Sequence, residues 1–166
     1  MARILIVYYS RSNATRTLAA ELAKELGSDM VAIQDRQPRA GTRGFLRSLW
    51  EASRSILPEI EPPHITLSSY DLVMLGTPVW AAHAACPMRR FLHNNAHLLP
   101  ATAYFCTYGG RGYRTAFRDM RALTGKPPLA TLAVRRHDLL HAHYANRLNR
   151  FMARLAPASH RHPLNA

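Results

Sequence analysis

Residues Arg3 to Tyr9 read R-I-L-I-V-Y-Y, an unbroken β-branched and aromatic run of the kind buried on both faces of a parallel sheet. A polar loop, Ser10 to Thr15, separates it from a one-faced helical stripe at Leu18, Ala19, Leu22, Ala23 and Leu26, with Gly27 where a C-terminal cap belongs. Strand, short loop and helix open a βαβ unit. Working outward, Met30 to Ile33 reads as a second strand. Phe45, Leu46, Leu49, Trp50, Ile56 and Leu57 form a helical stripe over 43–57, stopped by Pro58, Pro62 and Pro63. Asp71 to Gly76 is a third strand, with Thr77 to Trp80 in the loop after it, and a helix is expected from Cys86 to His93. Thr102 to Thr107, Tyr113 to Leu123, Leu129 to Val134 and Tyr144 to Leu155 continue as strand, helix, strand and helix. The alternation predicts an α/β fold, an open five-stranded parallel sheet with helices on both faces and right-handed crossovers. A single domain over residues 1–156 is expected, with 157–166 as a flexible C-terminal tail.

The composition narrows the function. With 166 residues, 48% of them hydrophobic, the chain can bury one substantial core and is not intrinsically disordered. Lys and Arg number 22 against 10 Asp and Glu, a formal charge of +12, which favours anionic partners. The basic residues are spread along the whole chain rather than massed in one run, which argues against nucleic acid as the main partner. Cys86 and Cys106 sit in or beside apolar segments and make no disulfide framework, so both read as small buried hydrophobes in a reducing compartment. The apolar start is too short for a secretory segment, no run approaches a membrane span, and a cytoplasmic location is expected.

In an open parallel sheet, ligands bind at the carboxyl ends of the strands, at the switch point of strand order. Three segments have that address. Ser10 to Thr15 sets hydroxyl and amide side chains before a helix, whose first-turn N–H groups and dipole favour a phosphate. It lacks the glycines and lysine of a P-loop, and a polar helix cap is the alternative reading. Thr77 to Ala82 offers Trp80 beside the stiff Pro78, either as a cover for a flat heterocycle or as packing on the next helix. Thr107 to Tyr113, T-Y-G-G-R-G-Y, lets backbone N–H groups approach a ring edge with Tyr108 available to stack, unless it is an ordinary turn. His83, one step past the Trp80 loop, is a candidate proton donor to a bound substrate. His137, His141 and His143 have helical spacing for a metal but read as a solvated basic turn, so no metal site is assigned. No G-x-S-x-G elbow is present, which removes the hydrolase reading.

Together the three loops resemble the flavodoxin family, in particular its short members with Y-S-R-S-G-N-T-R after the first strand, G-T-P-V-W-A-G after the third and a T-x-G-G turn after the fourth. The most specific part is the block Ser69, Tyr70, Asp71, Leu72, Val73, Gly76, Thr77, Pro78, Val79 and Trp80. The resemblance implies strand order 2-1-3-4-5 and non-covalent FMN. It places Ser10, Ser12, Asn13, Ala14 and Thr15, with the Arg11 backbone, at the FMN phosphate. It places Pro78, Val79, Trp80 and Ala81 on one side of the isoalloxazine, and Thr107, Tyr108, Gly109, Gly110 and Gly112 on the other. Asn13 stands where the family has glycine, Ala14 where it has asparagine, and Ala81-Ala82 where it often has glycine.

The expected function is an FMN-binding redox protein, either an electron carrier or an NAD(P)H-dependent reductase of a small acceptor such as a quinone; whether it is an enzyme stays open. Its partners are then a redox protein or a nicotinamide donor and small acceptor, with a homodimer also open. The alternative is a flavodoxin-fold interaction or regulatory module whose FMN binding is weakened or lost. Classical flavodoxins are acidic, whereas Arg11, Arg16, Arg111 and Arg114 would lie near the flavin here, so a less strongly reducing flavin and acidic or small partners are expected.

Overall fold

The computed structural model describes residues 2–35, 57–62, 65–141 and 143–159. The helix expected over 43–57 lies outside the described residues, apart from Leu57 itself. The buried run at the start of the chain forms β1 (Ile4–Tyr8), and the stripe after it forms α1 (Ala14–Leu26), closed by Gly27 at φ 58°. Next come β2 (Asp29–Ala32) and two short strands, β3 (Gln34–Asp35) and β4 (Ile60–Glu61), which pair antiparallel as a separate ribbon. The chain continues through β5 (Leu72–Trp80), β6 (His83–Ala84), α2 (Cys86–Asn95), β7 (Ala101–Tyr108) and α3 (Tyr113–Thr124). It ends with β8 (Thr131–Arg135), a short α4 (Arg136–Leu140) and α5 (Ala145–Ser159), which carries its last turn beyond the expected boundary at residue 156.

The main sheet has the order β2-β1-β5-β7-β8, and every neighbouring pair in that series is parallel. Counting only these five strands, the order is 2-1-3-4-5, as expected. Alternation along the strands sends side chains to opposite faces. On one face Leu5, Val7, Val73, Leu75 and Tyr104 pack with Met88, Phe91 and Leu92 of α2 and Ala116 and Met120 of α3. On the other, Ile6, Tyr8, Met74 and Phe105 pack with Leu18 and Leu22 of α1 and Leu148, Phe151 and Leu155 of α5. Gly76 of β5 is paired with Phe105 of β7, and a β-carbon there would stand 2.1 Å from the Phe105 ring, so the ring occupies the place of a side chain.

One boundary differs in a way that matters for the site. The third strand does not stop at Gly76 with Thr77 to Trp80 in a loop. Thr77 and Pro78 stay in register with Cys106 and Thr107 of β7, and Val79 and Trp80 then pair antiparallel with Ala84 and His83 of β6. The β1 ladder ends at Gly76, so beyond it β5 has lost its neighbour on that side, the setting in which a strand tolerates a proline.

Candidate functional site

Three segments converge at the carboxyl end of the sheet. In the first, Asn13 takes φ 62° and ψ −17° at the start of α1, the left-handed conformation that glycine adopts most easily and asparagine tolerates best among the rest. Its side chain does not cap the helix. Instead the Arg16 N–H donates to Ser10 Oγ at 3.2 Å, leaving the earlier first-turn N–H groups as donors at the positive end of the helix dipole. Ser12 and Asn13 are exposed beside them. The donor set therefore suits a phosphate: backbone N–H groups, a hydroxyl, an amide and no carboxylate in the loop.

The second segment is a two-residue hairpin between β5 and β6. Ala81 and Ala82 have φ 46° and 69°, so both central residues are left-handed, as a tight hairpin turn requires, yet neither is glycine or asparagine. A left-handed alanine costs about 1–2 kcal/mol each. Buried Thr77 helps to hold the hairpin: its hydroxyl accepts the Ala85 N–H at 3.0 Å and donates to the Pro78 carbonyl. Trp80 is not an exposed platform. It is 6% exposed and meets Tyr9 edge-on with ring centroids 5.4 Å apart, so the accessible part of this segment is Ala81 and Ala82.

In the third segment, Gly109 and Gly110 are exposed with open space where side chains would stand. Gly112, at φ 97°, lies against the hairpin so closely that a β-carbon on it would be 2.4 Å from Ala82 Cα. Buried Thr107 shares a 2.8 Å hydroxyl–hydroxyl hydrogen bond with Thr15 of α1, which ties the first segment to the third. Tyr108 is buried, its ring 5.1 Å from that of Tyr113, and burial raises its phenol pKa. The expected residues of all three loops are therefore brought together.

His83 lies on β6, directly after the hairpin. Its Nδ1 is 2.8 Å from Asp119 Oδ2 of α3, and its side chain is 39% exposed. The Asp119 carboxylate orients the ring, leaving Nε2 for other contacts. Sequence reading missed this partner because it is 36 residues away. Cys86 and Cys106 are both buried, and burial pushes the Cys106 thiol well above its ordinary range, which makes it a poor nucleophile. The His137, His141 and His143 rings lie in an exposed row, with centroids 4.6 and 5.8 Å apart. Among the described residues no group of three or more His, Cys, Asp or Glu is arranged to hold a metal, and no helix is long and apolar enough to cross a membrane.

A match to the flavodoxin family extends over residues 3–139. The chain belongs to the flavodoxin family. Flavodoxins bind FMN non-covalently. Among solved structures, a flavoprotein from Lactobacillus acidophilus NCFM in complex with FMN is 20% identical, with a TM-score of 0.73, covering 92% of this chain and 99% of its own. The apo form of an NADH:FMN oxidoreductase is 16% identical, with a TM-score of 0.60, covering 98% of this chain and 92% of its own. A flavodoxin from the domain Archaea is 16% identical with a TM-score of 0.55, covering 95% and 99%. At these identities the likeness is one of fold. No curated protein matches the chain.

Proposed function

We propose that this flavodoxin binds FMN at the three converging loops and works as a redox protein. The observation that carries the reading is Asn13. The family turn needs a left-handed residue before α1, and Asn13 supplies that conformation without glycine, keeping the first-turn N–H groups open to a phosphate. In this reading Ser10, Arg11, Ser12, Asn13, Ala14 and Thr15 hold the phosphate. Pro78, Val79, Trp80 and Ala81 flank one side of the isoalloxazine, with Ala81 as the exposed contact and Trp80 as the buried support. Thr107, Tyr108, Gly109, Gly110 and Gly112 flank the other, chiefly through the backbone of the exposed glycines.

Bound FMN supplies one- or two-electron redox chemistry, and the protein supplies position and charge. None of the three loops contains Asp or Glu, while Arg11, Arg16, Arg111 and Arg114 sit in or beside them. That field favours added negative charge on the flavin, so a redox titration should give a higher two-electron potential than that of an acidic flavodoxin. In this reading His83, its ring oriented by Asp119, is the candidate proton donor to a bound substrate. The neighbouring fold of an NADH:FMN oxidoreductase supports a reductase role, which steady-state NADH oxidation with a quinone would distinguish from that of a carrier. The deciding test is incubation with FMN, desalting, and an absorption spectrum: stoichiometric retained flavin is expected, and none retained would move the reading to an interaction module.

A further inference from the structure

The strongest further feature lies at the edge of the sheet, bordering the third of the three loops. Among the described residues β8 is terminal in the main sheet and pairs only with β7, so one row of its backbone N–H and C=O groups faces outward there. Along this edge runs a cavity of about 590 Å³ whose floor includes Thr131, Leu132 and Ala133. Its walls come from α3 and α5, which pack on opposite faces of the sheet. Each wall carries three arginines at helical spacing: Arg114, Arg118 and Arg121 on α3, and Arg147, Arg150 and Arg154 on α5. Among the described residues only Arg147 of these six holds a carboxylate, Asp138.

We propose that this groove receives an acidic segment of a partner protein, in extended form, paired to β8 as one more strand. A strand entering there would present successive side chains to opposite faces, which is where the two arginine rows stand. Each row covers about 10 Å of helix, and same-face side chains on a strand are about 6.7 Å apart, so each row meets about two carboxylates. Phe117, half-buried in the α3 wall, offers apolar contact between the charges. Charge selects the occupant. β8 itself carries no charge between Thr131 and Val134 to protect its edge, and a chain of formal charge +12 repels a second copy of itself from a basic groove. A partner seated here would lie beside Tyr108, at the margin of the third loop, although the docking itself does not require a flavin.

The test is fluorescence anisotropy on the full chain, at low salt, with an end-blocked, fluorescein-labelled peptide of repeating Glu-Glu-Val. Saturable binding that weakens as salt rises is expected. The variant R118E/R150E, altered at two exposed positions and checked for fold by circular dichroism, should bind at least about tenfold more weakly. So should the same peptide N-methylated at alternate residues, which keeps its charge but cannot form the ladder. Absence of binding, equal binding by the methylated peptide, or equal binding to the variant would overturn the proposal. Inorganic triphosphate binding more tightly than the peptide would also overturn it, in favour of a small polyanion site. Because none of these readouts involves FMN, they stand or fall separately from the flavin reading.

Discussion

The turn before α1 and the hairpin after β5 solve the same problem in different ways. Both need left-handed backbone, and neither uses glycine. At the first, Asn13 is a residue whose own chemistry tolerates the conformation, so the end of the site proposed for the phosphate is built locally. At the second, Ala81 and Ala82 have no such tolerance. They are held by the β5–β6 ladder, by the Thr77 hydroxyl at the hairpin's base, and by Gly112 pressed against Ala82. The end proposed for the ring is therefore a product of tertiary packing. Where local chemistry suffices, a site tolerates change around it, whereas a site held by packing fails when its neighbours change.

Gly112→Ala attacks the hairpin from outside and should have the largest effect. Its β-carbon has no room against Ala82, and φ 97° suits no L side chain. A loss of about 2–4 kcal/mol in urea unfolding is expected, together with loss of FMN retention. Next, Asn13→Val puts a β-branched residue into a left-handed position and should cost about 1–2 kcal/mol and weaken FMN binding, whereas Asn13→Gly should stay within a few tenths. Equal losses for the two variants would mean that the asparagine side chain, not the turn, is what matters. Ala82→Gly should do the reverse and stabilise the protein by about 0.5 kcal/mol, the relief of strain being partly offset by the freer unfolded chain.

The smallest effect concerns acid. Neither segment contains a carboxylate, so acid sensitivity should come from elsewhere. Asp138 has its carboxyl held below the ordinary range by its bond to Arg147. A depressed folded value stabilises the native state above the unfolded carboxylate pKa and loses that contribution as pH falls through the folded one. Thermal unfolding of Asp138→Asn should show a slightly shallower acid limb than the unaltered protein, with FMN retention unchanged.

Continuous apolar runs and one-faced stripes carry the sheet and its helices in the sequence itself, because burial on two faces or one leaves a periodic trace. The loops were legible as addresses at the ends of those strands. The β5–β6 hairpin was not, since Ala81-Ala82 lacks the glycine or asparagine that signals a tight turn and its geometry is imposed by contacts distant in sequence. Trp80 illustrates the same limit. A large aromatic beside a turn fits both a platform and a core residue, and only the Tyr9 ring decides between them. The arginine rows were equally hidden: α3 and α5 are separated in sequence by β8 and α4, so residues that read as scattered charge line a single groove.

The 2.8 Å bond between Thr15 and Thr107 makes one wall of two segments far apart in the chain. It fastens the start of α1 to the end of β7, as Thr77 fastens the base of the hairpin. Gly109, Gly110 and Arg111 are the exposed stretch between them, with nothing standing against either glycine. With the cofactor bound at these loops as proposed, this short glycine span is the part of the cleft wall with open space to adjust around it.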